Sequence, residues 1–552
     1  MDFKAEIGKL LKKEHLPQEL LQAPPNPDMG DYAFPCFTLA KEYKKSPQEI
    51  AKDLEKKLKP TKSIEKITAN GPYLNFFINK TAYNKEIIQA KTARKKRNGK
   101  VITLDFSQPN IMKPFNIAHL RSTMIGNAIS QILTYEGYKV IKINHLGDWG
   151  TQFGKMMYAF ETWGEKTSLM KDPMHYMTDL YVRFHKEAEA DPSLEERGRE
   201  WFAKLEQGDK KARAYWQLFS KLSLQYYDKT YKRLHISFDS WAGEAFYEPQ
   251  LKPTIELLEK KHLLEESDGA LIVNLEKYNL TPCIVRKSDG STIYATRDLA
   301  AAIYRAKTYK FDKNLYVVDV RQSLHFQQVF KTLELAGFPW AKDCIHLAFG
   351  TMRFEDGVMS TRKGIIIFLE DVLDKAVESV EKIIEEKNPH LKDKKKVAEQ
   401  VGLGAIIFWD LSHDRLRDIS FSWDKVIDFN GETGPYVQYA HARAASILRK
   451  TKAIKAKAAY EKLQAVQEKE LLKQLSLYQE AIAKAAEQYK PSILAKYLIT
   501  LCQVFNDFYE HCPCVTEPDK ALAAARVKAV EKTKVVLKEG LTLLGIESPE
   551  EM

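Results

Sequence analysis

Apolar residues follow two rhythms in the chain's central stretch. From Val101 to Phe106 they run almost without a break, as a strand buried on both faces requires. After a polar loop the spacing opens to Ile117, Leu120, Met124, Ile125, Ala128, Ile132 and Leu133. That is one face of a helix, with Gly137 placed to cap it. A second apolar run at 140–144 completes strand, loop, helix, strand: one βαβ unit of a nucleotide-binding sheet. The sheet is expected to resume across 291–300, with a helix to about Ala306. A strand at 315–320, a helix from Phe326, a strand at 345–349 and a helix from Leu369 should follow.

The flanking regions read differently. Helices are expected near 3–13 and 46–58, separated by the turn formers P-N-P-D-M-G-D-Y-A at 25–33. Strands at 64–67 and 73–78 lie around Asn70-Gly71-Pro72. A linker rich in Lys and Arg spans 91–100. From 155 to 260 the pattern is helical, charged and rich in Tyr and Trp. Asp268-Gly269 and Asp289-Gly290 then mark hairpin-type turns between β-rich stretches. The last stretch is helical throughout, with 450–473 as one lysine-rich helix. The fold class is therefore α/β: a Rossmann-like parallel sheet with insertions, a small N-terminal α/β domain and a C-terminal all-α helical bundle. The expected boundaries are 1–96, 97–410 (insertion about 155–290) and 411–552.

Composition narrows the function classes. The 552 residues carry 85 Lys and Arg against 74 Asp and Glu, a net charge of +11 that suits a polyanionic partner such as nucleic acid. The cysteines (Cys36, Cys283, Cys344, Cys502, Cys512 and Cys514) show no C-x-x-C spacing, which speaks against a zinc knuckle or a disulfide framework and fits a reducing cytoplasm. The N-terminus M-D-F-K-A-E lacks a signal peptide's apolar core, and no apolar run approaches the ~20 residues of a membrane span.

The chemistry concentrates where the polar loop meets the helix. Unpaired N–H groups and the positive end of the helix dipole make that junction a ready anion site. Asn116 and His119, three apart, can face one phosphate there, and Lys113 brings a cation. Far downstream, F-E-D-G-V-M-S-T-R-K-G at 354–364 is a Gly-bounded basic loop able to close over a triphosphate.

These stretches carry a resemblance. K-P-F-N-I-A-H-L-R-S-T at 113–123 resembles the HIGH-type signature of class I aminoacyl-tRNA synthetases, and N-H-L-G-D-W-G-T-Q-F-G at 144–154 is similar to the arginyl-tRNA synthetase version. The 354–364 stretch resembles the second class I signature, usually K-M-S-K-S and in this family often K-M-S-T-R. Asp414-Arg-Leu-Arg-Asp418 and 429–443 resemble the opening of the family's anticodon-binding domain, and Asn506-Asp507-Phe508-Tyr509 and 543–547 its C-terminal region. The sequence departs from the family pattern at Asn116, in place of the first histidine, at Ala118, in place of a glycine, and at Val358, in place of a lysine for which Lys113 is the natural substitute.

The resemblance implies an arginine–tRNA ligase that forms arginyl-adenylate from ATP and passes arginine to the 3′ end of its tRNA. It implies the following roles. Lys113, Asn116, His119, Ser360, Arg362 and Lys363 act on the phosphates. Asn116, Ala118, His119, Met359 and Arg362 hold ATP. Asp105, Asn110, Tyr294, Asp298 and Gln322 hold arginine, the carboxylates suiting a planar guanidinium. Asn70, Tyr73, Asn75 and Tyr439 touch tRNA. Mg²⁺ is expected with ATP, without a carboxylate cluster to mark an all-protein site and without a structural metal. A monomer is expected. Two other readings stay open on sequence alone: a catalytically silent tRNA-binding paralogue, and a small-molecule adenylyltransferase, which would leave the two appendages without a purpose.

Overall fold

The computed structural model describes residues 3–22, 24, 26, 29–354 and 368–552. They form two compact units. One comprises Met1–Thr92, Ala444–Leu477 and Gln503–Val536, the other Ala93–Arg443, Tyr478–Cys502 and Leu537–Met552. Among the described residues, no helix is long and apolar enough to cross a membrane.

In the first unit a three-stranded antiparallel sheet has Tyr73–Ile78 at its centre, flanked by Tyr32–Pro35 and Ile64–Asn70. Helices Phe3–Lys13 and Pro47–Lys57 cover it, burying Ile7, Leu11, Ile50 and Leu54 against Phe34, Leu74 and Phe76. Ser46 and Glu49 close a reciprocal cap on the second helix. The unit also contains the helix Val466–Ser476, whose buried Glu468 pairs with Arg526 at 2.7 Å. The expected single helix over 450–473 is not formed. One helix ends at Lys450, a short turn occupies Tyr460–Lys462, and the next helix starts at Val466. The Ala459 N–H bonds to the Ala521 carbonyl at 3.1 Å, and Leu463 is buried. Tertiary partners outweigh the helix propensity of an Ala- and Lys-rich segment.

The second unit is built on a parallel sheet of β1 (Val101–Asp105), β2 (Lys139–Ile143), β3 (Lys313–Tyr316) and β4 (Cys344–His346), in the order β4-β3-β1-β2. Helix α1 (Ile117–Tyr135) links β1 to β2. The chain leaves the sheet after β2 for a long helical passage that ends in α2 (Lys210–Arg233) and Glu248–Lys260. A three-stranded antiparallel sheet follows, Leu264–Ser267, Ala270–Val273 and Cys283–Arg286. Its first turn, Asp268-Gly269, has φ of 50° and 76°, the pair of positive angles a two-residue hairpin demands. Because β2 and β3 leave β1 on opposite sides, the strand order reverses there. In sheets of this kind the carboxyl ends beside such a reversal are where ligands bind.

Two expectations need correcting. The sheet does not resume at 291–300: helix α3 (Tyr294–Tyr309) begins there, and α4 (Ser323–Leu335) follows β3. The β-branched Thr292, Ile293 and Thr296 favour a strand locally. Ala295, Leu299 and Ala302, at helical spacing, instead enter one core with Val329 and Leu333. Nor is the last stretch wholly helical, since Ile419–Phe421 pairs in parallel with Met352–Phe354.

Candidate active site

The loop leaving β1 is strained. Ser107, Gln108 and Met112, none of them glycine, have φ of 80°, 48° and 65°. Hydrogen bonds from several elements hold it. Ser107 N–H donates to Ser122 Oγ at 3.0 Å on α1, and Ser107 Oγ lies 2.7 Å from Thr123 Oγ1 and 2.6 Å from the Tyr231 hydroxyl. Gln108 N–H donates to Asn144 Oδ1 at 3.1 Å, and Met112 N–H to Ser223 Oγ at 3.0 Å. The Tyr227 hydroxyl sits 2.7 Å from the carbonyls of both Asn110 and Lys113. Helix α2 thus supplies Ser223, Tyr227 and Tyr231 as a rear wall. On the other flank Asn110 pairs with Gly147, where a Cβ would stand 2.2 Å from Asn110 Oδ1. A larger residue there would have to displace the Asn110 amide.

At the mouth of α1, Asn116 and His119 bind each other reciprocally. His119 N–H donates to Asn116 Oδ1, and Asn116 N–H to His119 Nδ1, both at 3.3 Å. A ring nitrogen that accepts carries no proton, so in the neutral imidazole the proton sits on Nε2, a donor available to a ligand. Burial, then the charge of Lys113, pushes the His119 pKa down to about 4, which keeps the ring neutral at physiological pH. Burial and then Lys155 lower the Lys113 pKa as well, and its ammonium lies 5.5 Å over the Tyr181 ring. Ala118 lies in the first turn of α1. Met359, Ser360, Arg362 and Lys363, with Val358, lie outside the described residues. Phe368, just beyond that stretch, forms an antiparallel bridge with Asn116, and Leu369 N–H donates to the Phe115 carbonyl at 2.8 Å. The chain carrying the second signature therefore re-enters the described structure at the mouth of α1.

The first turns of α3 and α4 build a second group. Asp298 Oδ2 accepts from His325 Nε2 at 2.6 Å, and the Tyr294 and His325 rings meet edge-on at 5.0 Å. Burial acts to raise the Asp298 pKa. The His325 hydrogen bond, with the charges of His325, His145 and Arg305, outweighs it and holds the carboxylate below its ordinary value. Tyr294 is exposed, and Gln322 is exposed at the N-cap of α4. Asp105 is placed otherwise than expected: its carboxylate is buried, paired with Arg305 at 2.7 Å and bonded by Gln108 Nε2 at 2.8 Å. Each oxygen is thus already engaged within the chain, and the pair braces the sheet. The pattern reading missed Glu244. Burial, opposed by Arg297 and aided by Asp298 and Asp148, pushes its pKa up to about 7, so it belongs to the electrostatic group around Asp298. It lies in a short turn 54 residues upstream of Asp298, with no motif to mark it.

The residues expected to meet tRNA divide by unit. In the first, Asn70 is exposed, and Tyr73 is half-buried with its ring 5.4 Å from that of Phe37, itself exposed. Asn75 points inward, 3% exposed, so its amide is not offered to solvent. In the second, Tyr439 is exposed on the helix Gly434–Lys450, with the Arg443 guanidinium 4.9 Å over its ring.

Three family models match the chain. They are the class I (R) tRNA synthetase catalytic domain over residues 83–423, the DALR anticodon binding domain over 437–552 and the arginyl tRNA synthetase N terminal domain over 2–78. Arginine–tRNA ligases of Clostridium perfringens and Alkaliphilus metalliredigens are 47% and 46% identical to it, with both chains fully covered. The arginyl-tRNA synthetase structure of Thermus thermophilus superposes with a TM-score of 0.82 at 29% identity, covering 100% of this chain and 99% of that one. That of Plasmodium falciparum reaches 0.77 at 23% identity, which speaks to the fold alone. With the class I (R) catalytic model matched over residues 83–423 and relatives of this likeness along its whole length, the chain belongs to the class I arginyl-tRNA synthetase family.

Proposed function

We propose that this protein is an arginine–tRNA ligase. In the first step the arginine carboxylate attacks the α-phosphate of ATP, forming the acyl–phosphate bond of arginyl-adenylate and expelling pyrophosphate. In the second, the terminal ribose hydroxyl of tRNA attacks the activated carbonyl and AMP leaves. Neither step needs a covalent enzyme intermediate, so positioning and charge stabilisation carry the rate.

The Nε2–H of His119 and the open N-terminus of α1 act at the α-phosphate, with Asn116 fixing the ring and Lys113 adding a cation. Ser360, Arg362 and Lys363 serve the pyrophosphate side, and Mg²⁺ arrives with ATP as part of the substrate. Asp298 and Glu244 receive the guanidinium, Tyr294 packs on it, and Asn110 and Gln322 orient the amino-acid head group. Asn70, Tyr73 and Tyr439 meet tRNA through stacking and amide contacts.

The observation that carries this reading is the bridge between Phe368 and Asn116, which ties the exit of the second signature to the start of the first helix. The test is aminoacylation of total tRNA with a panel of labelled amino acids. Arginine alone should be attached, and only with ATP present. Attachment of another amino acid would move the assignment to a sister synthetase. Tight tRNA binding without any attachment would select the silent paralogue.

A further inference from the structure

Asp298 is the carboxylate best placed for a guanidinium, yet only one of its oxygens is engaged. Oδ2 is taken by His325 Nε2 at 2.6 Å, while Oδ1 has no hydrogen-bond partner among the described residues. The side chains of Asp298 and His325 are 21% and 11% exposed, so the pair is largely withdrawn from solvent. The two residues sit on different helices. Asp298 is the fifth residue of α3 and His325 the third of α4, and among the described residues their contact is the hydrogen bond that holds the carboxylate. His325 is itself held in place: the Tyr294 ring meets it edge-on at 5.0 Å on one side, and Phe326 stands 5.2 Å away on the other.

We propose that His325 is a positioning residue for amino-acid selection, locking Asp298 so that Oδ1 alone is presented to the guanidinium of arginine. The inference rests on the arginine–tRNA ligase reading and deepens it. A carboxylate free to rotate would spend its best geometry on water or on a neighbouring donor. One clamped through Oδ2 offers a single oriented acceptor that need not be ordered when substrate arrives. Clamping also changes the stereochemistry of recognition. With one lone pair of Oδ2 taken by His325, Oδ1 is the less encumbered acceptor, and the remaining guanidinium donors call for a second acceptor. Glu244, whose charged form is disfavoured first by burial and also by the charge of Asp298, is our candidate for that acceptor. Because Nε2 donates to a carboxylate, it carries a proton, and a neutral amide that donates from a similar place should substitute for it.

The test is equilibrium binding of arginine and of ATP, with steady-state charging, for wild type, His325→Ala and His325→Gln, and for each of these in an Asp298→Asn background. Loss of one hydrogen bond to a charged acceptor should weaken arginine binding about tenfold or more in His325→Ala. ATP binding should hold, kcat should change less than KM for arginine, and His325→Gln should recover most of the loss. In the Asp298→Asn background the His325→Ala change should have little left to remove. Undiminished arginine binding in His325→Ala would overturn the proposal, as would a parallel loss of ATP binding or a full-sized effect without the Asp298 carboxylate. If His325→Ala fails to fold, His325→Gln decides: near-normal arginine binding supports the clamp, and a loss as large as that of Asp298→Asn overturns it. A wild type that binds no arginine would instead sink the ligase reading itself, so the two failures are distinct.

Discussion

The proposed phosphate site at the mouth of α1 and the proposed amino-acid site at the starts of α3 and α4 lie in the same unit and are made in opposite ways. The mouth is nearly contiguous in sequence: Ser107 through Thr123 supply the loop, the cap, the cation and the histidine. The pocket is collected from Asn110, Glu244, Tyr294, Asp298, Gln322 and His325, more than two hundred residues of chain. The mouth works through groups any helix start supplies, namely open N–H groups and a dipole, with a side-chain donor added. The proposed pocket depends on the mutual placement of two carboxyl groups held on opposite sides of their ordinary pKa, Asp298 below and Glu244 above, which no local backbone rule supplies. On the proposed assignment, the chemistry that meets ATP is written locally, and the chemistry that selects one amino acid is written in tertiary contacts.

That contrast can be broken by substitution. The largest effect is expected at His119. His119→Ala removes an oriented donor at the reacting phosphorus and should lower the charging rate about 10³-fold at saturating substrates, with arginine KM little changed. A comparable loss of arginine affinity would show that the two regions are not separable. Asp298→Asn should lower kcat/KM for arginine by about 10²-fold while ATP KM holds, as for loss of an ionic partner to a guanidinium. Equal damage to both substrates would erase the distinction. The smallest and sharpest test is Tyr227→Phe, which leaves the Asn110 and Lys113 carbonyls without their shared donor. Because those residues stand in different regions, both substrates should weaken together, each by about tenfold or less. An effect on one alone would confine the α2 wall to one region.

Legibility in the sequence follows the same division. The βαβ unit was readable because its period changes from an apolar run to helical spacing and back. Lys113, Asn116 and His119 were readable because they sit where that change occurs. What the local pattern could not show is which carboxylates are already engaged. Asp105 and Asp298 look alike as sequence, yet the first is neutralised by Arg305, two hundred positions away, and the second keeps an oxygen open. Glu244 went unseen for the same reason, since its environment is made by Arg297, Asp298 and Asp148 and not by its neighbours in the chain. The start of α3 was misread because β-branched residues stand at its first turn, while the alanines and leucine that make it a helix declare themselves only by what they pack against.

The left-handed residues of the loop after β1 have a consequence for how this signature can be inherited. Ser107, Gln108 and Met112 keep their angles because serine and asparagine side chains on α1, α2 and the chain after β2 hold the backbone there. Grafting residues 107–123 onto another strand–helix junction would transfer the wording without the scaffold that bends it. Such a graft should drift to ordinary angles and bind nucleotide poorly until Asn144 and Ser223 were supplied as well. Those outlying positions and the motif are expected to change in concert among descendants, as parts of a single inherited shape.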